Sequence, residues 1–311
     1  MTTLWTFRDN AKTIYSRYDY IFTPILKFIL SIVVFMNINS RTGYMAILNH
    51  GLTVFLLAVI CAFLPIEFLA GVAFFVLLGQ AFKVSIDACL VGAALILIFY
   101  CGYMRFSSKT GILVFLVPVF QLLHITYVIP VLAGFLFGPV AIIPVAFGLI
   151  LSVYETELSE LVNVLAKVTE EDDAVQGYQY ILNSLISNKQ MLLTMLVFAV
   201  VILITYVIYK IPFTHSRFVA FIVGGILNIV LFLLGGIMFS VEVDIAPVLI
   251  GSIVSVIAAI IIQFFDGVLD YQRTEILQFE DDDYLYYVKA VPKLSISEKK
   301  ENVKHINSKT K

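Results

Sequence analysis

Nine stretches of the chain are apolar over close to the length needed to cross a bilayer, and they leave little sequence for anything else. They lie near 20–38, 47–65, 67–83, 86–104, 111–137, 138–154, 191–210, 217–240 and 245–266. A spanning helix takes about 20 mostly apolar residues. In hydrocarbon the backbone must satisfy its own hydrogen bonds, so such runs form helices. Composition closes off the alternative: 60% of residues are hydrophobic and 14% charged, where a soluble domain carries about 25% charged residues. The expected fold class is therefore an all-α polytopic integral membrane protein. It should have about eight spanning helices, a proline-broken or re-entrant pair, and a short C-terminal cytoplasmic β-hairpin.

The fifth segment differs from the rest. "GILVFLVPVFQLLHITYVIPVLAGFLF" (111–137) is too long for one straight span, and the polar "QLLHIT" lies halfway along it. Pro118 and Pro130 each remove a backbone donor. The segment reads as a broken pair, either two short spans or one re-entrant hairpin. Broken helices at mid-depth are where transport proteins place substrate and ion sites, because freed carbonyls and helix ends line a cavity. Gln121, His124, Thr126 and Tyr127 are the candidate substrate-pathway residues. The plainer alternative is that His124 merely turns the chain at a loop tip.

Loop charges set the orientation. With nine simple crossings and the N-terminus inside, Lys210, Arg217, Arg273, Lys289 and Lys293 would all be outside. If the fifth segment returns, Arg8, Lys12, Arg17, Arg105, Lys109, Lys210, Arg217 and Arg273 become cytoplasmic. Only Arg41, Lys83, Lys167 and Lys189 then lie outside. Both termini are expected in the cytoplasm, with the body in the cell (plasma) membrane. The opening "MTTLWTFRDNAKTIYSRYDY" is too long and too mixed in charge for a signal-peptide n-region. The run after it reads as a retained first span.

This reading divides the chain into a cytoplasmic segment (1–19), a first membrane half (20–153) and extracytoplasmic amphipathic helices (154–190). A second half of three helices (191–266), a cytoplasmic hairpin (267–293) and a disordered end (294–311) follow. In the outer stretch Leu158, Leu161, Leu165 and Val168 recur at helical spacing. Thr169 reads as an N-cap ahead of Glu170, Glu171, Asp172 and Asp173. Lys27 is expected to snorkel to the interface, and Lys83 to pair with Asp87 four residues on. Gly224, Gly225, Gly235 and Gly236 should admit close helix contact. Cys61, Cys89 and Cys101 lie in apolar runs without CxxC spacing and read as buried packing thiols. No Walker, GxSxG, HExxH or Cys/His motif occurs. No enzyme activity, cofactor, metal or nucleic-acid partner is expected, and any ATPase would be another chain.

The tail "RTEILQFEDDDYLYYVKAVPK" (273–293) combines two strand-favouring runs around four acids. The acids fit a hairpin loop, whereas a calcium loop needs alternating acids and a central glycine. An isolated hairpin is marginal in water, so this one should lean on the protein's own loops, the membrane interface or a partner by strand addition. Glu280, Asp281, Asp282, Asp283, Tyr284, Tyr286 and Tyr287 are the candidate docking residues. The "QFEDDDYLYYVKAVPK" tail, the "NSRTGYM" flank and "YVIPVLAGFLFGP" resemble a group of multi-spanning membrane proteins of Gram-positive bacteria, often labelled loosely as transporter permeases. The likeness covers most of the chain and implies no catalytic residues.

The sequence thus favours a permease-like transport component moving a small molecule, with the lipid bilayer as its main partner and a separate energising subunit as one option. The alternative is a non-catalytic membrane scaffold that binds protein partners through the 154–190 helices and the 274–293 hairpin.

Overall fold

Apolar runs become helices wherever no proline, glycine or polar turn interrupts them. The computed structural model describes residues 2–107, 110–165, 173–212, 215–266, 275–280 and 285–290. The elements are α1 (Thr2–Arg17), α2 (Asp19–Thr42), α3 (Ala46–Asn49), α4 (Gly51–Phe63), α5 (Ile66–Val84), α6 (Ile86–Phe99, extended by a π turn over Tyr100–Met104), α7 (Leu113–Leu122), α8 (Ile129–Leu136), α9 (Ile142–Leu165), α10 (Asp173–Ser187), α11 (Lys189–Lys210), α12 (Ser216–Phe239), α13 (Ile245–Asp266), and strands β1 (Glu275–Glu280) and β2 (Leu285–Ala290). Tyr18–Ile261 form one compact unit; Met1–Arg17 with Ile262–Lys311 form another.

Among the described residues seven helices are long and apolar enough to cross a membrane. Their outward faces are large and apolar, as at Phe75 (77% exposed) and Ile237 (79%). The protein is a multi-pass membrane protein whose Tyr18–Ile261 unit is helical, with lipid as its solvent. The expected count of eight full-length spans is corrected at α4. It has 13 residues, about 20 Å at ~1.5 Å per residue, against a hydrocarbon core of about 30 Å.

Polar contacts between helices show which ends lie together. Lys27 Nζ, near the start of α2, donates to the carbonyl of Leu64 just beyond α4 at 3.1 Å. Its amine is thus tied to a helix end. At the other end of α2, Asn39 accepts from Gln80 of α5 at 2.9 Å, and Gln80 accepts from the Met45 amide at 2.7 Å. Arg41 there reaches Ser152 of α9 at 3.2 Å. The face at the start of α2 is called the near face below, and the opposite one the far face.

The proline-broken segment enters from the near face and returns to it. Tyr103, at the end of α6, bonds Thr110 before α7 (2.6 Å) and the Val140 carbonyl after α8 (2.8 Å). Both ends of the segment therefore lie at one level. Between them α7 has 10 residues and α8 has 8, each about half a bilayer deep at helical rise. The first and last helices of the Tyr18–Ile261 unit consequently have their outer ends on the same face.

Close approach holds the pair in place, because lipid tails supply no hydrophobic drive between helices. A Cβ on Gly148 of α9 would lie 2.7 Å from Val117 Cβ and 2.8 Å from the Val114 carbonyl. A Cβ on Gly134 of α8 would meet the backbone of Ile202 in α11 at 2.9 Å. Rings of Phe74, Phe99, Phe115 and Phe147 meet at tilted angles of 47° to 60° and centroid distances of 4.7 to 6.0 Å across α5, α6, α7 and α9. Each such pair contributes roughly 0.5–1.5 kcal/mol beyond its area. Gly224 lies against Thr205 and Val131, and Gly225 against Val256.

Three further expectations change. α9 runs unbroken from Ile142 to Leu165, so the first outer helix is an overhang of a membrane helix, with Leu158 and Leu161 fully buried. The supposed cap at Thr169 and acids Glu170 to Asp172 fall outside the described residues. Lys83 and Asp87 form no ion pair, because Ser85 separates α5 from α6 and destroys the one-turn spacing. Of the cysteines only Cys61 is buried; Cys101 is exposed on the π turn.

Gly148→Leu should lower the melting temperature of the detergent-solubilised protein, with an overpacking cost of about 1–3 kcal/mol. Gly71→Ala, where the new Cβ meets nothing within 4 Å, should leave it unchanged or raised. Equal melting temperatures for both variants would contradict the close α7–α9 contact.

Candidate functional site

Where α7 gives way to α8, the chain must turn inside the body without stranding its amides. His124 adopts φ 57°, a left-handed conformation uncommon outside glycine and more accessible to histidine than to branched residues. The turn satisfies itself locally: the His124 amide donates to the Gln121 carbonyl at 3.0 Å and the Ile125 amide to Phe120 at 2.9 Å. Asn228, fully buried in α12, secures the far side of the turn. Its Nδ2 donates to the Tyr127 carbonyl at 3.2 Å and to Ser252 of α13 at 3.0 Å. The Tyr127 ring is held edge-on by Phe232 at 4.9 Å and Phe198 at 6.4 Å.

Above this turn lies a cavity of about 380 Å³, within the usual range for small-molecule sites. Gln121, His124, Thr126 and Tyr127 all line it. The sequence placed these residues on one broken segment; the fold brings them to one wall. His124 both turns the chain and faces the cavity, so the two readings of it are compatible. The remaining walls come from α9 (Val153, Thr156, Glu157), the start of α11 (Asn188, Gln190, Thr194) and Asp244 ahead of α13. Asn188 caps α11 by accepting from the Met191 amide at 2.8 Å. Among the described residues the lining contains two carboxylates and one imidazole, and neither lysine nor arginine. Outside the spans, burial and the carboxylates of Glu157 and Glu160 push the Tyr180 hydroxyl up, and it donates to Glu160 at 3.3 Å.

Directly behind the α9 wall is a charged pair that the sequence reading missed. Glu155 is fully buried and Arg41 Nε lies 3.9 Å from its Oε2. Neither Glu155 oxygen has a hydrogen-bond partner among the described residues. Arg41 Nη1 also reaches Ser152 Oγ at 3.2 Å and the cavity-lining Thr156 Oγ1 at 3.5 Å. Ser152 in turn donates to Gln121 Oε1. Polar contacts thus run from the buried carboxylate to the cavity floor. The sequence reading puts Arg41 on the outside and Glu155 in the extracytoplasmic amphipathic stretch 154–190. The signal was nevertheless present: Leu151, Tyr154, Glu155, Leu158 and Leu161 follow helical i, i+3, i+4 spacing, which places Glu155 inside the apolar stripe.

At the tail, β1 and β2 pair antiparallel with Phe279 opposite Tyr286 and Gln278 opposite Tyr287. Glu280 belongs to the ladder, opposite Leu285, not to the loop as expected. Tyr287 is 69% exposed; Asp281, Asp282, Asp283 and Tyr284 fall outside the described residues. Among the described residues no group of three or more His, Cys, Asp or Glu side chains could hold a metal ion.

No protein-family model, no curated protein and no solved structure matches the chain.

In a background with the native cysteines replaced, Thr126→Cys and Thr156→Cys should react with a membrane-impermeant thiol reagent added on the far face. A cysteine at buried Val117 (0% exposed) should not. Unreactive cysteines at both threonine positions would show that water does not reach the turn.

Proposed function

We propose that the protein is a permease-like transport component, and that its substrate binds above the turn between α7 and α8. The observation that carries this reading is the polar cavity at a helix break inside an apolar body. Irregular backbone at membrane depth is tolerated where it is buried in protein or lines a water-filled cavity. Discontinuous helices at such places present carbonyls and helix ends to substrates and coupling ions. The four residues at the turn supply an amide, an imidazole, a hydroxyl and a phenol, enough to orient a polar small molecule. The resemblance of the tail and of "YVIPVLAGFLFGP" to permease-labelled membrane proteins of Gram-positive bacteria points the same way. On this reading the body sits in the cell membrane with both termini in the cytoplasm, in keeping with the distribution of Lys and Arg.

A second reading, a membrane scaffold, draws on the two-stranded sheet. A pair of strands leaves two edges open to strand addition, and Tyr287 is exposed beside them.

Untargeted metabolite profiling of vesicles separates the two. Vesicles carrying the protein should accumulate at least one compound that control vesicles do not. Gln121→Ala and His124→Ala should reduce that accumulation by tenfold or more, about 1.4 kcal/mol or greater, at unchanged protein levels. Identical profiles with and without the protein would refute transport. Loss of co-purifying proteins on deleting 274–293 would then favour the scaffold.

A further inference from the structure

We propose that Glu155 is a proton-binding site coupled to the cavity through Arg41, so that transport is driven by a proton gradient. The inference rests on the transport reading and adds the energy source to it.

The argument begins with where the carboxylate lies. Glu155 is fully buried and both its oxygens lack hydrogen-bond partners among the described residues. A carboxylate so placed is stable only if neutralised by a proton or balanced by a cation. Arg41, on α2, is the charge that acts on it, and at 3.9 Å from Nε it is within ion-pair reach without a close hydrogen bond. Among the described residues Tyr154 of α9 is the neighbouring titratable group, itself acted on by Cys89 of α6. α7 presents neutral Gln121 through Ser152, and Glu157, two residues along α9, lines the cavity. Tyr180 of α10 faces Glu157 and Glu160 instead. Lys83 at the end of α5 and Lys189 at the start of α11 are exposed.

Arg41 therefore has two sets of acceptors. One is the buried carboxylate; the other is the hydroxyls of Ser152 and Thr156 on the cavity side. Its guanidinium stays protonated at all working pH values, so only Glu155 exchanges a proton. When a cavity ligand or water draws Arg41 toward the hydroxyls, Glu155 loses its balancing charge. It then takes a proton from a hydronium ion in the cavity: one hydronium O–H bond breaks, one carboxyl O–H bond forms, and water is left. When Arg41 returns, the carboxyl O–H bond breaks and the proton passes to a water molecule as hydronium. Intramembrane acids that face a bundle interior and are paired there mark proton relays in pumps and transporters. Glu155, on the helix that walls the cavity, is such an acid, paired with Arg41.

Infrared difference spectroscopy on the purified full-length protein in lipid nanodiscs tests this. Acidification should produce the carbonyl band of a protonated carboxyl, and Glu155→Gln should remove it. In Arg41→Gln the band should persist to more alkaline conditions, by roughly one to three pH units, as loss of an opposite charge requires. Arg41→Lys should lie closer to wild type. A wild-type spectrum without a band attributable to Glu155, or a midpoint unmoved in Arg41→Gln, would overturn the proton site. Should Glu155→Gln fail to fold, Glu155→Asp must shift the band; an unmoved band is equally adverse. In the vesicle experiment a protonophore should abolish accumulation of the transported compound. Accumulation that survives it overturns the coupling while leaving transport intact. Absence of any accumulated compound refutes transport itself, and the infrared band still decides whether Glu155 binds a proton.

Discussion

An amide or carbonyl left unpaired in hydrocarbon costs several kcal/mol, and this protein interrupts a helix at mid-depth. Much of its architecture answers that difficulty. The turn at His124 pairs its own amides with Phe120 and Gln121, and Asn228 reaches across from α12 to take the Tyr127 carbonyl. α9 and α11 shield the two half-helices, with glycines at Gly148 and Gly134 where the backbones come closest. The same break changes the parity of the chain, so that the body's first and last helices have their outer ends on one face.

The break also creates the cavity. A continuous helix from 113 to 136 would hide its backbone and leave nowhere for polar side chains to converge. Two half-helices meeting at a turn place Gln121, His124, Thr126 and Tyr127 together, opposite the polar starts of α11 and α13. Arg41 and Glu155 lie one helix thickness behind, joined to this wall by the hydroxyls of Ser152 and Thr156. A stability account alone gives little reason to keep such a pair, since a buried ion pair is often replaceable by apolar residues at no loss.

Much of this was legible in the residues, for physical reasons. Runs of twenty apolar residues have essentially one solution in lipid, and Pro118 and Pro130 around "QLLHIT" mark the break because proline cannot donate. Local sequence carries less information about where a helix leaves the membrane. Tyr154 opens a polar stretch, yet α9 continues through it to Leu165, and Glu155 within that stretch is fully buried. Pairings across long sequence distances were equally out of reach. Nothing near Arg41 indicates that it meets α9 more than a hundred residues later, and nothing near Lys27 names Leu64. The Lys83–Asp87 expectation failed because the two residues straddle the break at Ser85 between α5 and α6, where a spacing of four no longer places side chains one turn apart.

The central claim is that 111–137 returns to the face it came from. A short epitope inserted after Ser107 and, in a separate variant, after Phe137 tests it, with each probed from both sides of sealed vesicles. Both epitopes should be accessible from the same side. Detection of the two on opposite sides would mean that the segment crosses once, and neither the turn nor the cavity above it could then exist as described.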